Sequence, residues 1–561
     1  MKVVATRDLP DARKSRGAFF TPKPIAKYLA TWAVEADASA TVLDPTCGES
    51  VFLEAAGREL RELGASKSRL RKQVVGVDLH ETSIAESRRL LRAEGLDGSF
   101  HVANFFDLST PDKLDAQLPY VDAVIGNPPF VRYQTHAGLE RKRAQKTALE
   151  QGVLLSGLAS SWAALVVHAC GFLKPEGRLA MVLPAELLTT GYAEEIRLWL
   201  KRRFKVVHLV MFERLQFDDA LENVVLVLAR GSGGCRAFSL VPVEDATDLP
   251  NATLFGPMHL TFAPPNEGKW TDLLLSVEQR QAYDHFVDTF CWPLGRYGTP
   301  TLGTVTGAND FFCISDTTRR RYAIAKRHLA PICPPGTKHL RGLGFTKKDW
   351  RTLRDEDEPV WLILPADDTS SAADEGLRRY LAEGVERGVD RAYKCRVRKR
   401  WQRPPIVPAP DLFFTYMSHR YPRLFTNAAD VSFVNSMHGL RLRPDANESA
   451  KSALPLLVLN TATMLGAEIH GRSYGGGILK MEPREAARLP VPRPELLDKA
   501  WKLLEPEAER LERQLEEGHW KDVAKRVDTA FLHEACDLPA ESADLLHGAV
   551  QQLRSTRLGR N

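Results

Sequence analysis

Tyr120-Val121-Asp122-Ala123-Val124-Ile125-Gly126-Asn127-Pro128-Pro129-Phe130 reads as an apolar strand, Tyr120–Ile125, that runs into a stiff polar loop, Asn127–Phe130. The loop therefore sits at a strand's carboxyl end, which in open α/β sheets is where ligands bind. Two consecutive prolines fix φ and remove two backbone donors, leaving carbonyls to accept. The Asn127 amide oxygen beside the Pro128 carbonyl makes a rigid pair of acceptors, with Phe130 as an aromatic plate next to it. Such a cradle suits a flat group carrying NH2, either the amino group of a base or an amide. An Asn-Pro-Pro sequence is equally compatible with an ordinary turn, so the surrounding elements have to decide.

Upstream, Leu43-Asp44-Pro45-Thr46-Cys47-Gly48-Glu49-Ser50 follows a short strand and opens a helix, Val51–Glu59. The next apolar strand, Gln73–Val77, ends in Asp78, completing a βαβ unit with an acid at the tip of its second strand. In nucleoside-binding sheets that acid accepts hydrogen bonds from ribose hydroxyls. The turn holds a single glycine, Gly48, which disfavours a pyrophosphate-binding dinucleotide site. The charged stretch Arg58–Lys72 lengthens the segment between turn and acid, as a longer helix and loop.

These motifs resemble, in order and kind, the γ-class, TaqI-like DNA adenine-N6 methyltransferases, and are similar also to the Eco57I group. Gly17-Ala18-Phe19-Phe20-Thr21-Pro22 resembles that family's N-terminal motif, and Asp44–Gly48 its S-adenosylmethionine turn. Asp78-Leu79 resembles the ribose-binding acid with its hydrophobic neighbour, and Ala103-Asn104-Phe105-Phe106 stands where the family usually has Asp and then Phe or Leu. Asn127–Phe130 is the catalytic motif, Gly177–Pro184 resembles the fifth-strand motif, and Phe217, before Asn223 and the strand Val224–Leu228, matches a second aromatic packing against a flipped base. The likeness is close over residues 16 to about 230 and only general beyond.

The resemblance implies site roles. Asn127, Pro128, Pro129 and Phe130 form the catalytic loop, with Phe130 and Phe217 receiving the target base. Asp78 and Leu79 serve the cofactor ribose, Asp44 with Pro45 the methionine end, where Thr21 and Gly48 also line the site, and Asn104 and Phe105 the cofactor adenine. Asn104 departs from the usual Asp, so a charge-assisted contribution would be lost, and Asp107 is a substitute. Cys47 is expected to pack, with no cysteine in a nucleophile's position, and His101 and His136 are ordinary. The implied reaction is transfer of methyl from S-adenosyl-L-methionine to the exocyclic amine of an adenine flipped from duplex DNA. Similar Asn-Pro-Pro motifs methylate a glutamine amide or an rRNA base amine, and a catalytically inactive DNA-binding protein is the other alternative. The length, the basic C-terminal region and the upstream Gly17–Pro22 segment favour DNA adenine.

Strands near 74–77, 120–125, 178–183, 205–211 and 223–229 alternate with helical patterns at 81–94, 160–173 and 192–203, which argues for a doubly wound sheet. We expect an α/β, mixed seven-stranded, Rossmann-like catalytic domain over 1–234, ending at Arg230–Gly234. An α+β target-recognition domain is expected over 235–495, and a helical C-terminal segment over 496–561. A length of 561 residues accommodates such a plan with ample core. The segment Arg391–Arg403 holds seven cations and no acid in thirteen residues, interleaved with Tyr393 and Trp401. Lys394, Arg396, Arg398, Lys399, Arg400 and Arg403 are therefore candidate phosphate contacts. Phe413, Phe414, Tyr416 and Tyr421 read as core, and Gly475–Gly477 as a turn where the backbone comes close to another surface. Eight singly spaced cysteines indicate neither a disulfide framework nor a metal site. With a formal charge of +5 and no membrane-length apolar run or signal peptide, a cytoplasmic, monomeric protein is expected. About 15 residues precede the first motif, too few for a nuclease domain, so any cognate restriction endonuclease would be a separate partner.

Overall fold

The computed structural model describes residues 21–131, 138–157, 159–212, 224–251, 260–262, 269–366, 374–474 and 477–558. Gly17–Phe20, His136, Phe217, Asn223, Gly475 and Gly476 lie outside the described residues. The chain divides into two compact units between Trp270 and Thr271.

The first unit runs α1 (Lys23–Val34), β1 (Val42–Asp44), α2 (Val51–Glu62), α3 (Lys67–Gln73), β2 (Val74–Asp78), α4 (Glu81–Ala93), β3 (Ser99–Val102) and β4 (Val121–Gly126). It continues with α5 (Gly138–Glu150), α6 (Ser161–Ala169), β5 (Leu173–Pro184), α7 (Glu186–Thr189), α8 (Glu194–Arg203), β6 (Phe204–Phe212), β7 (Val224–Ser232), β8 (Phe238–Val243) and β9 (Leu260–Phe262). All nine strands join one sheet in the order β3-β2-β1-β4-β5-β7-β6-β8-β9. β1 to β5 pair in parallel, β7 lies antiparallel between β5 and β6, and β8 runs parallel to β6.

Helix periodicity explains the packing. Ile25, Leu29 and Ala33 on α1 and Phe52, Leu53, Ala56 and Leu60 on α2 recur at helical spacing and share one core beneath the sheet with Val42, Val74 and Ile125. The order of strands reverses between β1 and β4. That is the switch point at which a crevice opens beyond the strand ends, and Asp44 and Asn127 flank it.

Two expectations change. The sheet has nine strands, the first seven as expected, with β8 and β9 added. The glycine-rich Arg230–Gly234 stretch is consequently the end of β7 and the start of the turn after it, within the first unit. Trp270 closes that unit: its ring meets Phe238 at 5.4 Å and Phe262 at 5.7 Å, and its backbone N–H donates to the Leu188 carbonyl. A short polar break looks like a linker when the strand beyond it, Phe238–Val243, is too short to declare its partner.

In the second unit, a five-stranded sheet orders Gly298–Leu302, His438–Leu442, Leu412–Phe414, Leu424–Asn427 and Gly344–Phe345. Helices at Pro494–Leu504, Ala508–Glu516, Trp520–Asp528 and Ala540–Leu558 complete its core, so the C-terminal helical segment is not a separate body. Phe286 meets Phe531 edge-on at 5.7 Å within that core. Phe413, Phe414 and Tyr421 are buried as expected. No single helix among the described residues is long and apolar enough to cross a membrane.

The last helix is tied down by a buried bidentate pair. Arg557 donates through Nε and Nη2 to the two carboxylate oxygens of Glu468, each at 2.8 Å, and through Nη1 to the Gly477 carbonyl. The two side chains are 5% and 2% exposed. Removing one member of such a pair strands a buried charge, at a cost of about 3–5 kcal/mol. Arg557→Ala should lower the unfolding free energy by that amount in denaturant titration, and joint replacement with Glu468→Leu should recover most of it.

Candidate active site

Asp44 ends β1 with its carboxylate turned under the following turn, where Oδ1 accepts from the Thr46 N–H at 3.0 Å. Gly126, the last residue of β4, makes room for it: a Cβ there would lie 2.9 Å from Asp44 Oδ1. Asp44 is 1% exposed, and burial pushes its carboxyl up to about 8, with the nearby Asp78 adding to the effect.

The turn is lashed to β2. The Cys47 N–H donates to the Val77 carbonyl at 2.9 Å and the Gly48 N–H to Asp78 Oδ2 at 3.0 Å. Asp78 Oδ1 accepts from the His80 N–H at 2.8 Å. Gly48 has φ +47°, a left-handed conformation that glycine adopts without strain, and a Cβ there would meet nothing within 4 Å. Open space thus adjoins the start of α2, where unpaired N–H groups favour polar ligands. Leu79, beside the acid, is 61% exposed, while Pro45 is buried, as is Cys47, whose thiol burial holds well above its ordinary range.

Asn127 follows β4 on the other side of the crevice. Its Nδ2 donates to Thr21 Oγ1 at 3.2 Å, and its buried Oδ1 has no partner among the described residues. Thr46 Oγ1, in the turn opposite, is likewise buried without one. Pro128 is buried, and the Pro129 carbonyl is taken by the Ser161 hydroxyl at 2.5 Å, which also accepts from the Val131 N–H at 3.0 Å. Phe130 is half-buried and, like Tyr28 and Trp32, packs against the core cluster of the first unit. Ser161 carries no motif signature, since it opens an apolar helix like many other serines; nothing in the order of residues reveals its reach to Pro129.

Three side chains expected to line the cofactor site have partners within the protein. Thr21 holds the Asn127 amide. Asn104 caps the turn Phe105–Asp107, with Oδ1 accepting from the Phe106 N–H at 3.1 Å and Nδ2 donating to Glu140 Oε2 at 2.8 Å. The Phe105 ring is 4% exposed, packed on His168 at 5.1 Å and Phe172 at 5.2 Å, so it supports the loop from beneath and has no open face for stacking. Asp107 pairs with Arg143 at 3.3 Å.

The basic segment splits in the same way. Arg398 spends its guanidinium on the carbonyls of Val305, Thr306 and Trp401, and Arg403 donates to the Pro365 carbonyl. Both face inward, because a guanidinium with five donors pins a loop as readily as it binds phosphate. Trp401 packs on Phe311 and Phe312. Lys394, Arg396, Lys399 and Arg400 remain exposed, as does Tyr393.

Residues 7–238 match the N-6 DNA Methylase family, and residues 267–532 match the C-terminal domain of Type II methyltransferase M.Eco57I. The chain is similar to Type II methyltransferase M.AccI of Acinetobacter calcoaceticus, 22% identical over 487 residues, spanning 84% of each chain. It is also similar to Type II methyltransferase M.XamI of Xanthomonas campestris pv. amaranthicola, 24% identical over 485 residues and 85% of each chain. Among solved structures, the Type IIL restriction-modification enzyme MmeI in complex with DNA aligns with a TM-score of 0.49 and 13% identity, over 95% of this chain and 75% of that one.

Asp44 has a measurable consequence without any ligand. Its folded value lies above the ordinary 3.8, so the folded chain binds more protons. Its contribution to stability is full in acid and is lost as pH rises from about 4 to about 8. The thermal midpoint of the first unit should fall over that range, and Asp44→Asn should flatten the fall; an unchanged pH profile would contradict the burial argument.

Proposed function

We propose, for a chain that belongs to the N-6 DNA methylase family and carries an M.Eco57I-type C-terminal domain, that it methylates the N6 amine of adenine at a specific site in double-stranded DNA. The observation that carries this reading is the buried Asn127 Oδ1 at the switch point of the sheet, which has no partner among the described residues. A buried acceptor calls for a donor, and the family supplies the chemistry of that donor, an amino group on a base.

Adenine's amine is a poor nucleophile because its lone pair is delocalised into the ring. Asn127 Oδ1 and the Pro128 carbonyl accept its two N–H bonds, drawing the nitrogen toward tetrahedral geometry and stabilising the positive charge that grows on it. S-adenosyl-L-methionine supplies a methyl on a sulfonium, open to direct displacement. The site fits that group. Asp44 would offer a buried carboxylate to its ammonium, Asp78 would exchange backbone donors for ribose hydroxyls, Gly48 leaves room beside them, and the Asn104–Phe105 segment, whose side chains are taken up within the protein, would meet its adenine through backbone. Rotating the base out of the duplex costs roughly a few kcal/mol, which stacking on Phe130, and on Phe217 as the resemblance implies, would offset. The protein would serve as the modification component of a restriction-modification system, with cutting left to a separate endonuclease.

Asn127→Ala should reduce methyl transfer by about a hundredfold to a thousandfold or more while leaving cofactor affinity, read by calorimetry, nearly unchanged; retained activity would refute the assignment. For the DNA surface, alanine at Lys394, Arg396, Lys399 and Arg400 should flatten the salt dependence of DNA affinity by about 0.9 in log–log slope for each phosphate no longer neutralised. Alanine at Arg398 or Arg403 should instead lower thermal stability, because their partners are backbone carbonyls.

A further inference from the structure

Helix α6 is buried along its entire length, Ser161 to Ala169. Two polar side chains at its opposite ends bond loops of the site. At the start, the Ser161 hydroxyl donates to the Pro129 carbonyl and accepts from the Val131 N–H, while the Ser161 N–H donates to the Val131 carbonyl at 3.0 Å. Prolines fix φ but leave ψ to be set by neighbours. These three bonds set it for the residues that follow Asn127.

Seven residues on, about 10 Å along the axis, His168 is 2% exposed. Its Nε2 lies 3.2 Å from the Phe105 carbonyl and 3.1 Å from the Leu108 carbonyl. Carbonyls only accept, so Nε2 carries the proton and Nδ1 is bare, in keeping with the absence of a partner for Nδ1 among the described residues. Positions 161 and 168 share one helix face. Rotation of that face is blocked by Trp162, whose indole donates to Tyr192 Oη at 2.9 Å, the tyrosine donating in turn to the Glu186 carboxylate.

We infer that α6 is a strut: Ser161 and His168 are positioning residues that fix the separation between the Asn127 acceptor loop and the Asn104–Leu108 loop, and with it the alignment of amine and methyl donor. The inference rests on the methyl transfer proposed above. Neither side chain touches a reacting group. Both act through backbone they hold, and in-line displacement is sensitive to such placement, a shift of about 1 Å costing on the order of a hundredfold in rate.

Paired variants separate this role from packing. Ser161→Thr and Ser161→Val are near-isosteric and differ in one hydroxyl, while His168→Gln keeps an N–H donor for the Phe105 and Leu108 carbonyls that His168→Phe lacks. In the full chain with duplex DNA and labelled S-adenosylmethionine, kcat of Ser161→Val should be at least about tenfold below that of Ser161→Thr, with the donor KM of the two within about threefold. His168→Phe should bind the donor at least about tenfold more weakly than His168→Gln, with kcat at saturating donor within about threefold. Equal kcat for the Thr and Val variants, or kcat and KM moving together in both pairs, would overturn the strut. A wild-type chain that transfers no methyl to DNA would remove the function first, and the strut with it.

Discussion

A buried hydrogen-bond acceptor left unmatched costs about 1–3 kcal/mol, and the fold holds one at Asn127 Oδ1. Everything around it keeps it from relaxing. β4 sets its height, Pro128 and Pro129 deny it backbone freedom, Thr21 holds the amide nitrogen, and Ser161 grips the loop beyond. Across the switch point Asp44 carries the complementary deficit, a carboxyl that burial biases against its charge. An amine donor relieves the first deficit and a cation the second. On the proposed function these two strand ends are the two halves of one site.

The exposed surface of the second unit follows a related logic. Cations alternate between holding the loop and facing solvent. Arg398 and Arg403 close carbonyls at 305, 306, 365 and 401, which rigidifies the segment that displays Lys394, Arg396, Lys399 and Arg400. A stiff display lowers the entropy lost when phosphates are engaged. A count of charges along the chain merges these two populations; only the burial of each side chain tells them apart.

How much was legible follows from range. β1, β2, β4 and their turns announce themselves because apolar runs, an N-terminal helix turn and a proline pair are local signals, and the crevice at Asp44, Asp78 and Asn127 follows from their order. The addition of β8 and β9 after Gly234 was not legible, since strand partnership there depends on Trp270 meeting Phe238 and Phe262 over long separations. Nor was the orientation of Phe105, which is set by His168 some sixty residues later. The C-terminal helices read as a separate charged piece because their apolar stripe is narrow, yet that stripe reaches Phe286.

The acceptor role of Asn127 is tested most directly by incubating the purified chain with duplex DNA and methyl-labelled S-adenosylmethionine, then digesting the DNA and resolving its nucleosides by mass spectrometry. Label confined to N6-methyldeoxyadenosine is the expected result. Label on a cytosine, on protein, or on nothing would contradict it.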